Sequence, residues 1–259
     1  MTSRWLLALL TLTVTAAGAP TEIPAGATTT AAITDTTLER MPAALETRFA
    51  LSALPPKLRG AATVYLLDPA RGHRLARQGT SGVACLVQRT AWEHADYRND
   101  IYIPLCYDAV GATTHLRAIM DAAELRARGT SPHALKAEIA RRYDAGTYRL
   151  PAKAGLSYML APVFRTTGLP DMKVKTIVMP HLMFYASGVT NADIGALPDV
   201  ADPASLAYPF IDRQGHAEQS YMIQMMGATE TARILAEEKA LIDDLCAYRE
   251  LLCLRTAAH

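Results

Sequence analysis

The chain has 259 residues, 26 Lys and Arg against 25 Asp and Glu, and an apolar half. That length allows one large or two small domains, and the apolar share supports a packed core rather than disorder. The near-neutral balance, with no basic stripe, excludes nucleic acid as a partner, because such binding draws most of its affinity from phosphate neutralisation.

The first residues read MTSRWLLALLTLTVTAAGAP. Arg4 gives a positive start, Trp5 to Val14 an apolar stretch, and Ala16 to Ala19 a run of small residues. This is the layout of a secretory signal peptide, residues 1–18, cut after Gly18. The apolar part is shorter than the roughly 20 residues that a spanning helix needs, so no membrane span is expected after signal removal. Residues 19–37, rich in Thr, Ala and Pro, read as a flexible lead-in, and 38–259 as one domain.

Within that domain Leu38, Met41, Leu45 and Phe49 recur at helical spacing, and Pro55-Pro56 stops the helix. Residues 62–107 change to strand texture. TVYLLD, the turn at Asp68 to Gly72, HRLARQ, the turn GTSG and VACLVQR predict a meander of antiparallel strands. A loop over 90–100 leads to IYIPLCY, where Pro104 argues for an edge or bulged strand. Residues 112–146 predict a helical hairpin. Leu116, Ile119 and Met120 line its first helix, Gly129 caps it, and Ser131-Pro132 opens a second helix that Gly146 ends. Strands return in LSYMLA, KTIVMPHLMFYA and QSYMIQMM, and 229–255 predicts one long C-terminal helix. The sum is an α+β fold, a mainly antiparallel sheet packed against the hairpin and the C-terminal helix.

Four cysteines in an exported chain are expected to be oxidised. Cys85 and Cys106 lie on neighbouring predicted strands and form the favoured disulfide. Cys246 and Cys253 would stand about 10.5 Å apart along an unbroken helix, beyond the ~7 Å a disulfide tolerates. Either that helix breaks, or both are core thiols, or both face another subunit and support a homodimer through the C-terminal helix.

The candidate chemistry starts at TIVMPHLMFYASG, residues 176–188. In an extended strand Met179, His181, Met183 and Tyr185 share one face. One reading makes His181 an ordinary core histidine bonded to a carbonyl or tyrosine. Another lines an apolar ligand pocket with His181 and Tyr185 as its polar groups. A third gives Met179, His181 and Met183 to Cu(I), which favours thioethers and imidazole. Separately, His94 and Asp96 in the 90–100 loop read either as a solvated surface pair or as half of a metal or acid/base site, with Arg77 or Arg89 beside the cleft. No G-x-S-x-G elbow, H-E-x-x-H helix or phosphate-cradling glycine loop occurs, so no cofactor or resident metal is expected.

ARQGTSGVACLV at 76–87, CYDAVG at 106–111 and PHLMFYA at 180–186 resemble the shared segments of a set of exported bacterial proteins of unknown function. The resemblance covers roughly residues 40–226 and departs at Ser81, where Asn is expected, and at Ser187, where Pro is expected. It implies an exported address and this architecture, and no activity. The leading expectation is therefore an extracytoplasmic, non-enzymatic binding or interaction protein, its partner a small molecule or a protein. The alternative is a hydrolase-like enzyme that uses His181 or the pair His94 and Asp96.

Overall fold

The computed structural model describes residues 36–168, 173–199 and 201–254. The signal-peptide reading and most of the lead-in lie outside the described residues.

Helix α1, Ala43–Ser52, follows Pro42 and ends before Pro55. Strands β1 (Thr63–Asp68) and β2 (Gly72–Arg77) form the expected hairpin. Strand β3 (Ala84–Gln88) does not continue a meander: it pairs parallel to β1, on the side away from β2. The connecting GTSG segment explains this correction. It crosses the start of β1, where Thr80 and Ser81 N–H both donate to Ala61 O and Gly79 N–H donates to Thr63 Oγ1. A Cβ on Gly79 would lie 2.2 Å from that same carbonyl oxygen, so glycine permits the crossing.

Strand β4 (Ile103–Tyr107) pairs antiparallel with β3 and is interior, not an edge. Pro104 is tolerated for a local reason. Tyr102 N–H donates to Arg165 O, and alternation turns residue 104 to that same side. Pairing with the next strand covers Cys106 and Tyr107 only, so the missing donor falls in the gap between the two pairings. After the short helix α2 (Ala109–Ala112), α3 (His115–Ala127) and α4 (Pro132–Asp144) make the expected hairpin. Gly129 and Gly146 end them with φ of 81° and 66°.

Strand β5 (Leu156–Met159) returns to the main sheet, while β6 (Phe164–Gly168) and β7 (Lys173–Ile177) pair as a separate ribbon. The run KTIVMPHLMFYA therefore splits at Val178 to Pro180, and only its second half, β8 (His181–Tyr185), joins the large sheet. With β9 (Phe210–Arg213) and β10 (Ser220–Met225) the order is β2-β1-β3-β4-β5-β8-β10-β9, antiparallel except for β1 and β3. The α+β class and the mainly antiparallel sheet are as expected.

Helices cover both faces. Phe49 of α1, with Ala53 and Leu54 that follow the helix, packs with Val64, Cys85, Val87 and Cys106 on one side. Leu116 and Ile119 of α3 pack with Leu86, Leu105, Met183 and Ile223 on the other. That is why β3 and β4 are buried at every position, in place of a one-sided alternation.

The C-terminal segment is not one helix. It is α5 (Ala228–Glu237) and α6 (Lys239–Tyr248), then an extended Arg249 and a 3-10 turn over Glu250–Leu252. Arg249 leaves helical geometry to donate to the Glu39 carboxylate, Asn99 O and Tyr102 Oη. The break brings Cys246 and Cys253 to a Cα separation of 4.3 Å, and they form a disulfide. The thiol reading is overturned, and neither sulfur is available to a second subunit. The favoured Cys85–Cys106 disulfide is present between directly opposite residues of β3 and β4. Among the described residues no helix is long and apolar enough to cross a membrane.

Candidate functional site

A cavity of about 390 Å³ opens where the loop between β3 and β4 meets the β6–β7 ribbon. His94, Asp96 and Arg98 line it from the loop, Thr167 and Lys173 from the ribbon, and Ala91, Ile101 and Val174 give apolar wall.

The loop's backbone sets this up. A 3-10 turn over Trp92–His94 ends at Ala95, which has φ 51° and ψ 36°. It is the one left-handed non-glycine among the described residues. Side chains disfavour that region by roughly 1–2 kcal/mol. The turn at Ala95 is what sends the residues on either side, His94 and Asp96, into the same opening. Trp92 anchors the base of the turn, 2 % exposed in a cluster with Leu135, Ile139 and Tyr143 of α4.

His94 Nε2 lies 3.0 Å from Thr167 Oγ1 and 3.6 Å from Glu93 Oε1. Burial holds the His94 imidazole below its ordinary value, and Lys136 adds in the same direction. Burial also pushes the Glu93 carboxyl up to about 7, helped by the Asp212 carboxylate. Both groups thus favour their neutral forms. Arg98 gives Nε and Nη2 to Asp100 at 2.8 and 3.0 Å, and Asp100 also accepts from Arg165 at 3.0 Å. These guanidinium groups keep the Asp100 carboxyl below the usual carboxylate range despite the opposing push of burial. The remaining nitrogen of Arg98 is 3.9 Å from the exposed carboxylate of Asp96, beyond hydrogen-bond reach.

The other sequence candidates lie elsewhere. His181 does project from a strand into the interior, on the same face as Met183 and Tyr185. It is 4 % exposed, and its Nδ1–H donates to Met179 O at 2.7 Å with the Phe164 ring edge-on beside it. Burial lowers its pKa. Neither His181 nor Tyr185 lines the cavity described above. Met179 meets the imidazole through its carbonyl rather than its thioether, and Met183 Sδ faces Gln214 at 3.8 Å. Among the described residues no group of three His, Cys, Asp or Glu side chains is placed to hold a metal ion.

Arg77 donates to Ala62 O and Arg59 O near the GTSG crossing, and does not line the cavity. Arg89 is 2 % exposed, lies over the Tyr102 ring at 3.6 Å, and donates to Ile101 O and Asn99 O. It shapes the loop that carries Arg98 without reaching the cavity.

Sequence reasoning missed Arg98, Thr167 and Lys173. Thr167 and Lys173 stand about 70 residues beyond the loop, and the pairing of Tyr102 with Arg165 brings their ribbon against it. It also missed a buried polar network under α3. Tyr107 and Tyr221 hydroxyls meet at 2.9 Å, and Tyr143 donates to Gln219 at 2.9 Å. Having given its proton to Gln219, Tyr143 accepts from His115 Nδ1 at 3.4 Å, which leaves His115 Nε2 buried without a partner among the described residues. Burial drives the His115 pKa down to about 4.

No family model, no curated protein and no solved structure matches this chain.

Proposed function

We propose that the chain is an exported, non-enzymatic binding protein whose ligand, a small molecule, sits in the cavity of His94, Asp96 and Lys173. The carrying observation is the cavity itself. Its volume of about 390 Å³ falls in the range of ligand pockets, roughly 300–1,000 Å³. It combines three apolar wall residues with a small set of polar groups held by a strained turn. The signal-peptide layout and the pairing of all four cysteines support the exported address. The family resemblance points the same way.

The hydrolase-like alternative has one observation in its favour, the Thr167 hydroxyl on the His94 imidazole at 3.0 Å. Nucleophilic catalysis also asks for a group that orients the base from its other nitrogen. The Glu93 carboxylate approaches the same Nε2 as Thr167, at 3.6 Å, and so does not orient the ring from behind. Binding is therefore the better-supported reading.

Native mass spectrometry of the chain exported to a bacterial periplasm tests it. A retained small-molecule mass, lost in Val174→Trp, supports the binding reading. A bare mass in both proteins sinks it. Ester turnover abolished by Thr167→Val would replace it with the enzyme reading.

A further inference from the structure

We infer that the cavity takes a small zwitterion, a free α-amino acid with an aliphatic side chain or a molecule of the same charge layout. This rests on the reading of the cavity as a binding site and names the ligand class it would accept.

Arg98 and Asp96 form an ion pair that is not closed. Arg98 is fixed by two hydrogen bonds to Asp100, which Arg165 holds in turn, so its guanidinium has one settled orientation. Its third nitrogen faces Asp96 at 3.9 Å, and the Asp96 side chain is 59 % exposed. The cavity wall thus presents a donor and a carboxylate side by side, too far apart to satisfy each other. An α-amino acid carries its carboxylate and ammonium on one carbon, so its two charges are adjacent in the same way. Its carboxylate can accept from Arg98 while its ammonium donates to Asp96, each a charge-assisted hydrogen bond. Neither group of the protein has to move its backbone to make that exchange.

The rest of the lining agrees. Thr167 adds a hydroxyl to the wall. Ala91, Ile101 and Val174 form an apolar wall that suits an aliphatic side chain. A simple anion would leave Asp96 facing it with like charge, and a simple cation would meet Arg98 in the same way.

Isothermal titration calorimetry on the dialysed full chain tests this with three probes. These are leucine, 4-methylpentanoate, which lacks the ammonium, and 3-methylbutylamine, which lacks the carboxylate. Leucine is expected to bind at least tenfold more tightly than either half-analogue, a comparison that needs no variant. Asp96→Asn, at an exposed side chain, is expected to weaken leucine at least tenfold and to bind 4-methylpentanoate at least as tightly as the parent does, because the like charge that faced it is gone. Should the carboxylate alone bind as well as leucine, the zwitterion inference is overturned while the binding reading stands. Should none of the three bind, the inference also falls. A retained mass sensitive to Val174→Trp would then preserve the binding reading, and a bare mass would end both.

Discussion

The hydroxyl of Tyr185 donates to Oδ1 of Asp108 at 2.8 Å, across 77 residues of sequence. The same carboxylate accepts from the N–H groups of Val110 and Gly111, at the start of α2, and from Leu156 N–H. It therefore pins β8, β5 and the β4–α2 turn together. The contact joins CYDAVG to PHLMFYA, two of the three segments that carried the family resemblance. Loss of a hydrogen bond to a charged, part-buried acceptor costs about 1.5–3 kcal/mol, so Tyr185→Phe is expected to destabilise by that amount in urea unfolding. Gly111→Ala is expected to cost about 3 kcal/mol by overpacking, because its Cβ would lie 1.9 Å from the Tyr185 hydroxyl oxygen. Since one substitution removes the atom that the other strikes, the double variant should be less damaged than the sum. Strict additivity would show that the close approach is relieved some other way.

What the sequence revealed, and what it hid, follows from the range of each interaction. The shared face of His181, Met183 and Tyr185 in β8, the glycine ends of α3 and α4, and the Cys85–Cys106 bridge are local patterns, and all were legible. The parallel pairing of β1 with β3 was not, because side-chain alternation is the same in parallel and antiparallel strands. It depends on Gly79 crossing the backbone at Ala61. The break at Arg249 was hidden for a similar reason, since Glu39, 210 residues away, supplies the carboxylate that draws it out of the helix. Within the site, His94 and Asp96 stood out as a pair. Their partners Thr167 and Lys173 come from a ribbon whose docking no short pattern encodes.

Glu46 gives a pH-dependent prediction. It is 2 % exposed, and its Oε1 accepts from Leu67 N–H at 2.8 Å. Burial pushes its carboxyl up to about 7, against the opposing pull of that N–H, Arg89 and Arg40. A raised carboxyl pKa means that the folded state holds the proton longer than the unfolded state. Its cost to stability is therefore absent below about pH 4.5, grows as pH rises toward 7, and is constant above. Glu46→Gln keeps an acceptor for Leu67 and removes the titration. It is expected to gain about 1–3 kcal/mol over the parent at pH 8 and close to nothing at pH 4.5. The same difference at both values would mean that Glu46 does not titrate in this window.

The two disulfides should separate by access rather than by loop length. Cys85 and Cys106 are fully buried, whereas Cys246 and Cys253 are part-buried near the chain's end. Chain-entropy arithmetic gives the two bridges similar worth, roughly 3 and 2.5 kcal/mol. Exchange requires a thiolate to reach a sulfur. A mild dithiol applied to the folded protein should therefore expose Cys246 and Cys253 to alkylation first, with peptide mapping as the readout. Earlier labelling of Cys85 would contradict the burial described here.

Ala95 connects backbone strain to the site. A non-glycine residue persists in the left-handed region only where its surroundings over-determine it, and such residues gather at binding sites. Glycine relieves the strain but gains freedom in the unfolded chain, so Ala95→Gly is expected to stabilise by a net of about 0.5 kcal/mol. It should weaken leucine binding, because His94 and Asp96, on either side of the turn, would no longer be held in one arrangement before the ligand arrives. Ala95→Val, β-branched at the same φ, should do the opposite to stability and lose several kcal/mol. Unfolding and calorimetry on the two variants together decide the point. If glycine improves stability and leaves binding intact, the strained turn serves only to connect β3 with β4. If stability and binding move in opposite directions, the turn stores strain to hold the cavity's charges in place.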